Sequence, residues 1–392
     1  MVKVRANPMN FEFTTATRIV FGPGKISSIG KEAAKLGKRA FVILGKSQIR
    51  ARRLLEELNA NEIKFEMYSV SGEPTVEIVQ EGVERARQFG CDLVIGFGGG
   101  SVLDTGKAIS ILMTNIEDIY MYLEVIGEGK PFAQPGFPYI AIPTTAGTGT
   151  EVTKNAVIGA PDHHVKVSLR GEYLLPRLAL VDPMLTYDLP PEVTASTGLD
   201  ALTQLIEPFV CNQPNPIVDA LCRDGIPRIS RSLRKAFQQG NDPIARLDLS
   251  LASLFSGLAL ANAKLGAVHG FAGPIGGMFP VPHGVVCGLL LPHVMEINIR
   301  SLQNREKESV VLHRYSEVAK MLTGIEGATV DEGLIWLKEL CSFLGLPGLS
   351  SFGVTEKDFI VLVEKSAKAS SMKGNPIQLT EADLYRVLEL AL

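Results

Sequence analysis

Three of the six histidines, His269, His283 and His293, fall in one apolar, Gly- and Pro-rich stretch that reads GAVHGFAGPIGGMFPVPHGVVCGLLLPHV from Gly266 to Val294. The composition suggests that His269 and His283, fourteen residues apart, are presented from tightly turned backbone in a poorly hydrated place. Such a pair suits a metal ion or a proton transfer. A cation also needs an anionic partner. The segment PPEVTASTGLDALTQLIEPFV offers Asp200, a carboxylate in an otherwise apolar helix that must be compensated there. Gln204, four residues on, shares its helix face.

Two further stretches suit a polar ligand. In GFGGGSVLDTGKAI an apolar run ends in Gly98, Gly99, Gly100 and Ser101, and a helix carrying Asp104 and Lys107 follows. Backbone N–H groups freed by glycine at a helix N-terminus form an anion site suited to a dinucleotide pyrophosphate, although G-x-G-x-x-G is not present. A tight strand-to-helix turn without a ligand would also use glycine. The second stretch, PTTAGTGTEVTKNAV, places five threonines and two glycines within eleven residues, more hydroxyls than a turn needs.

These residues must be positioned by elements of two kinds. From Thr17 to about Val181 strand and helix signals alternate: strands at Arg39 to Leu44, Lys64 to Val70, Asp92 to Phe97, Pro138 to Pro143 and Leu178 to Val181, with helices at Gln48 to Leu58 and Val76 to Phe89. This alternation predicts a parallel sheet covered on both faces. After Pro190 and Pro191 the spacing turns helical, as in Leu247 to Leu265, Val310 to Leu322, Val330 to Leu344 and Thr355 to Ala369. The reading is an α/β dinucleotide-binding domain over 1–188 and an all-α domain over 189–392. Thr194 or Ser196 is expected to cap the first helix of the second domain, and Pro208 to kink it beside Gln204.

With 392 residues, 46% of them hydrophobic, the chain can bury two cores. The net charge of −3, with acids and bases interspersed, favours a small-molecule partner over nucleic acid or a membrane. Five scattered cysteines without a C-x-x-C pair suit a reducing cytoplasm, and the N-terminal MVKVRANPMNFEF carries no apolar signal segment.

The GGGSVLDTGKA turn, the PTTAGTGTE turn, ALVDP, GLDALTQLIE, the histidine pair and LLPHV together resemble the iron-containing (group III) alcohol dehydrogenases, from about Phe13 to the C-terminus. The resemblance implies a dehydroquinate-synthase-like fold, a homodimer or larger homo-oligomer, and NAD(H) or NADP(H) in a cleft between the domains. It also implies a divalent ion, Fe²⁺ or Zn²⁺, and a small alcohol, aldehyde or oxoacid as substrate. Carried over by position, the ion would be held by Asp200, Gln204, His269 and His283. The cofactor would lie along Gly45, Gly98, Gly99, Gly100, Ser101, Asp104, Thr144, Thr145, Thr148, Thr153, Asn155 and Lys166.

Three positions depart from the family pattern. Gln204 stands where a histidine ligand is usual, and an amide oxygen is a weaker donor to a first-row metal. Gly273 replaces a second histidine near the substrate, which enlarges the pocket. Gly45, followed by Lys46 and Ser47, replaces the Asp that excludes a 2′-phosphate, so NADP(H) is expected to be accepted. Two mechanisms remain open: a metal-assisted hydride transfer, or a metal-independent reductase of the maleylacetate reductase type in which Gln204 and His269 polarise the carbonyl by hydrogen bonds.

Overall fold

The structure, a computed structural model, describes residues 10–163 and 165–392. The first nine residues of the expected 1–188 domain lie outside the described part. In chain order the elements are β1 (Ile19–Phe21), α1 (Ile29–Ala34), β2 (Arg39–Leu44), α2 (Arg52–Ala60), β3 (Lys64–Ser69), α3 (Val76–Phe89), β4 (Leu93–Gly98), α4 (Gly100–Leu112), β5 (Tyr139–Pro143), β6 (Asn155–Ala160), β7 (Val165–Arg170) and β8 (Leu178–Val181). There follow α5 (Pro191–Val210), α6 (Pro216–Gln238), α7 (Pro243–Asn262), α8 (Ala267–Met278), α9 (His283–Arg305), α10 (Val310–Thr323), α11 (Val330–Leu344), α12 (Phe359–Lys368) and α13 (Glu381–Ala391).

Six strands form one parallel sheet in the order β1-β8-β5-β4-β2-β3, as the alternation of strand and helix signals requires. Apolar residues bury on both of its faces, which is why RAFVIL and LVIGFG read as continuous apolar runs. The chain steps from β2 outward to β3 and then crosses back to β4 on the other side of β2. Reversal of strand order opens a crevice at the carboxyl ends of β2 and β4. Leu44 pairs with Phe97, so Gly45 and the glycine turn both emerge at that crevice. A short antiparallel hairpin, β6 with β7, which sequence patterning did not mark, follows the threonine turn.

The second half is helical, as expected, and buries a separate large core. α7 and α9 are each long and apolar enough to cross a membrane, yet 67% and 78% of their most apolar windows are buried within the molecule. α5 begins at Pro191 with Pro190 as its cap residue and no side-chain cap, so Thr194 and Ser196 lie inside the helix instead of capping it. Thr194 Oγ1 accepts from Arg246 Nη1 (3.0 Å), and Ser196 Oγ donates to the Val193 carbonyl (3.2 Å). Proline at the first helical position has no N–H to satisfy, so no polar cap is needed there. Pro208 lies in the last turn of α5, and the helix runs on through it to Val210.

The Gly/Pro-rich stretch is helical as well, against expectation. His269 sits in the first turn of α8 and His283 opens α9. At two of the glycines in these helices a neighbour takes the space of a side chain. A Cβ at Gly270 would lie 2.9 Å from the Met372 methyl, and one at Gly284 would lie 2.2 Å from the Ser196 carbonyl oxygen. Tertiary packing overrides helix propensity at these positions.

Candidate active site

The glycine turn and the threonine turn meet because β4 pairs with β5, with Gly98 opposite Pro143. The Thr144 N–H donates to the Gly98 carbonyl (2.9 Å). A Cβ at Gly99 would touch Thr145, and one at Gly100 would lie 3.1 Å from the Thr148 methyl, so the two turns face each other across a slot that side chains at these glycines would narrow. Gly98 is glycine for a different reason, since its Cβ would run into Val102 at 2.6 Å. No side chain caps the N-terminus of α4, which leaves its first N–H groups, that of Ser101 among them, for a ligand at this turn. The cradle fits a pyrophosphate.

Asp104 and Thr153, expected on the cofactor path, turn inward. Asp104 accepts from Thr150 Oγ1 (2.6 Å) and from the Val157 N–H (3.1 Å), and Thr153 Oγ1 lies 2.8 Å from Lys107 Nζ. Lys107 also donates to the carbonyls of Thr153 and Asn155, both at 2.9 Å. These buried groups staple the threonine turn from beneath. Burial pulls the Lys107 amine down to about 8, against the pull of Asp104, and pushes the Glu151 carboxyl up to about 7. Asn155 opens β6 at a half-buried position. Lys166 pairs with Glu73 (3.2 Å) and reaches to within 3.7 Å of where a Cβ at Gly276 in α8 would lie, thus spanning the two halves of the molecule.

The second part of the site is built where α5, α8 and α9 converge. Gly284, where a Cβ would run into the Ser196 carbonyl, lets α9 close on α5, and a Cβ at Gly288 would meet the side-chain ends of Leu199 and Leu346 at 2.6 and 2.7 Å. This approach brings His283 Nε2 to 3.6 Å from Asp200 Oδ1, while α8 supplies His269 Nε2 at 3.7 Å. Asp200 is 2% exposed, and its Oδ1 has no hydrogen-bond partner. An orphaned carboxylate oxygen between two imidazoles is costly unless a cation joins them, so the residues present fit a divalent ion. Burial opposes ionisation of Asp200, but His283 and His269 outweigh it and hold the carboxyl below its usual range.

Glu207, one turn beyond Gln204, was not anticipated. Its Oε2 lies 2.6 Å from His269 Nδ1, and its Oε1 accepts from the Val268 N–H (2.7 Å). It thereby directs His269 Nε2 at Asp200, the arrangement by which carboxylates commonly orient metal-binding histidines. The seven-residue spacing from Asp200, two helical turns, was the available signal. Cys287 was also missed: its Sγ lies 3.6 Å from His283 Nε2 and 3.9 Å from His269 Nε2. Asp200, His269, His283 and Cys287 each offer one ligand atom within 4.8 Å of the others.

Gln204, expected as a ligand, is oriented otherwise. Its Oε1 lies 3.1 Å from Ser256 Oγ of α7, a hydroxyl that also reaches the carbonyls of Ser253 (2.8 Å) and Gly147 (3.2 Å), and its amide side chain favours the ionised form of Asp200. With the oxygen on the Ser256 side, the amide atom that faces Asp200 is the nitrogen, which has no lone pair to offer an ion. Gly273 is exposed on α8, one turn after His269, and a Cβ there would meet nothing within 4 Å. His293 lies ten residues along α9 from His283 and outside the cluster.

Residues 16–183 match the family model for iron-containing alcohol dehydrogenase, and residues 194–392 match the Fe-containing alcohol dehydrogenase family C-terminal model. Alcohol dehydrogenase 4 of Schizosaccharomyces pombe is 34% identical over 382 residues, covering 95% of this chain and 87% of the relative. The crystal structure of a 1,3-propanediol oxidoreductase superposes with a TM-score of 0.90 at 30% identity, covering 98% of this chain and 100% of that one. A sulfoacetaldehyde reductase from Bifidobacterium kashiwanohense, solved in complex with NAD⁺, superposes with a TM-score of 0.86 at 29% identity over 98% and 99% of the two chains. A parallel-sheet domain with a glycine cradle, a helical domain with an Asp–His–His cluster and these matches along both halves lead to one conclusion: the chain belongs to the iron-containing alcohol dehydrogenase family.

Proposed function

We propose that the protein is an NAD(P)-dependent alcohol dehydrogenase that acts as an aldehyde or oxoacid reductase in the reverse direction, with a divalent ion held by Asp200, His269 and His283. The observation that carries this reading is the buried, unpartnered Asp200 Oδ1 flanked by two imidazole nitrogens at 3.6 and 3.7 Å. When bound, the nicotinamide supplies or accepts the hydride, and the ion acts as a Lewis acid toward the substrate oxygen. The chain's own contribution is positional. The slot between Gly99 and Thr145 holds the phosphates, Glu207 fixes the direction of His269, and the close packing of α9 on α5 keeps His283 at Asp200. The 41% exposure of the His283 side chain supports an approach of substrate to the cluster from that side.

The open space at Gly273 supports carbonyl substrates bulkier than acetaldehyde. Gly45 carries no carboxylate to repel a 2′-phosphate, and the neighbouring Lys46 is exposed, which supports use of NADPH at least as well as NADH. The test is a panel of aldehydes and oxoacids with both cofactors, run on chelator-treated protein and again after addition of Fe²⁺, Zn²⁺ or Mn²⁺. Activity that depends on the added metal supports the reading. Full activity of metal-free protein would replace it with the hydrogen-bonding reductase. A catalytic efficiency with NADH more than about a hundredfold above that with NADPH, roughly 2.7 kcal/mol, would contradict the cofactor assignment.

A further inference from the structure

We infer that Cys287 Sγ is the fourth protein ligand of the divalent ion, in the place that the sequence pattern assigns to residue 204. The inference rests on the reading that Asp200, His269 and His283 hold an ion, and it concerns how that ion's shell is completed. Two observations carry it together. The first is the orphaned Asp200 Oδ1, buried and aimed at the cluster. The second is the set of distances between candidate donor atoms.

Donors placed about 2.0–2.3 Å from a tetrahedral centre lie about 3.3–3.8 Å from one another. Asp200 Oδ1 lies 3.6 and 3.7 Å from the two Nε2 atoms, and Cys287 Sγ lies 3.6 and 3.9 Å from the same two. Four edges of the tetrahedron therefore already have nearly the required length. Both imidazoles are suitably presented: Glu207 engages Nδ1 of His269 and leaves its Nε2 for the ion, and the Nε2 of His283 faces both Asp200 and Cys287. Cys287 lies four residues after His283, on the same face of α9 and buried.

No comparable oxygen comes from Gln204, which is engaged by Ser256. Binding requires the Cys287 thiol to release its proton to solvent, after which one carboxylate and one thiolate balance the two positive charges of the ion. A soft sulfur donor shifts preference toward zinc or cobalt over what three imidazoles and a carboxylate would select. Zinc is then the expected occupant when zinc and iron are supplied equally.

The test uses the full chain stripped with chelator and reloaded with Co²⁺, and separately with Zn²⁺. A near-ultraviolet sulfur-to-cobalt charge-transfer band in the unmodified protein, lost in Cys287→Ser, supports the assignment. Loss of an outer-shell partner weakens metal binding about 10–100-fold, so Cys287→Ala should raise the Zn²⁺ dissociation constant by more than about 100-fold. Gln204→Ala should change it only a few-fold. Cobalt bound without a charge-transfer band overturns Cys287 ligation and leaves the three-ligand reading standing. Failure of the unmodified protein to bind either ion overturns both. Because the band is read in the unmodified protein, the inference is tested even if a variant does not fold.

Discussion

Gly284→Ala separates the geometry of the helix crossing from the chemistry of the ligands, because it alters neither donor nor charge. The added Cβ would lie 2.2 Å from the Ser196 carbonyl oxygen, whereas an ordinary carbon–oxygen contact is about 3.3 Å. Both atoms belong to helix backbone or are fixed to it, so no rotamer relieves the clash and α9 must move from α5 by on the order of 1 Å. Overpacking of this kind costs about 1–3 kcal/mol, and the better helix propensity of alanine returns about 1 kcal/mol. The net effect on Tm should therefore be a few degrees at most. Metal sites tolerate only about 0.2 Å in ligand distance, so a 1 Å displacement of His283 and Cys287 from Asp200 should weaken Zn²⁺ binding more than about tenfold while the fold survives. The assay is chelator competition for Zn²⁺ alongside thermal melting of metal-free protein. Gly288→Ala is the control, since its Cβ first meets the flexible ends of Leu199 and Leu346, which can shift, and zinc affinity should then stay within a few-fold. Unchanged zinc affinity in Gly284→Ala would refute the claim that the close approach of α9 to α5 builds the site.

Glu207→Gln should keep the Val268 N–H satisfied yet remove the charge that orients His269, weakening metal binding about 10–100-fold; equal metal affinity in variant and parent would show that Glu207 only packs. Gly45→Asp is sterically free, because a Cβ there meets only a Val102 methyl at 4.0 Å. It should shift the ratio of kcat/KM for NADH over NADPH upward by at least about tenfold, and an unchanged ratio would mean that the adenosine ribose does not lie beside β2.

Local chemistry was legible in the chain itself. Arg39 to Leu44 and Val330 to Leu344 form the expected strand and helix with the expected bounds, because apolar periodicity is a local property of the residues. Asp200, His269 and His283 stood out by their types, although a buried histidine is more often a core residue than a ligand, and the structure brings the three together. Helical α8 was not legible. Its glycines have no local reason to be helical, and Gly270 packs against Met372, about a hundred positions away.

The adjacency of β2 and β4, which places Gly45 beside the glycine turn, is likewise a property of strand order and cannot be read from either stretch alone. The ligand set shows the division most clearly. Gln204 lies four residues after Asp200 in a stretch that reads as helix, whereas Cys287 lies four residues after His283 in a stretch that does not, so the sequence offers the first and the fold supplies the second. Which of them reaches the histidines depends on how α5 and α9 are rotated about their axes and how closely they cross. That is set by Ser256 of α7 engaging the Gln204 amide and by Gly284 admitting the Ser196 carbonyl, contacts between segments far apart in the chain that exist only once the helices have packed.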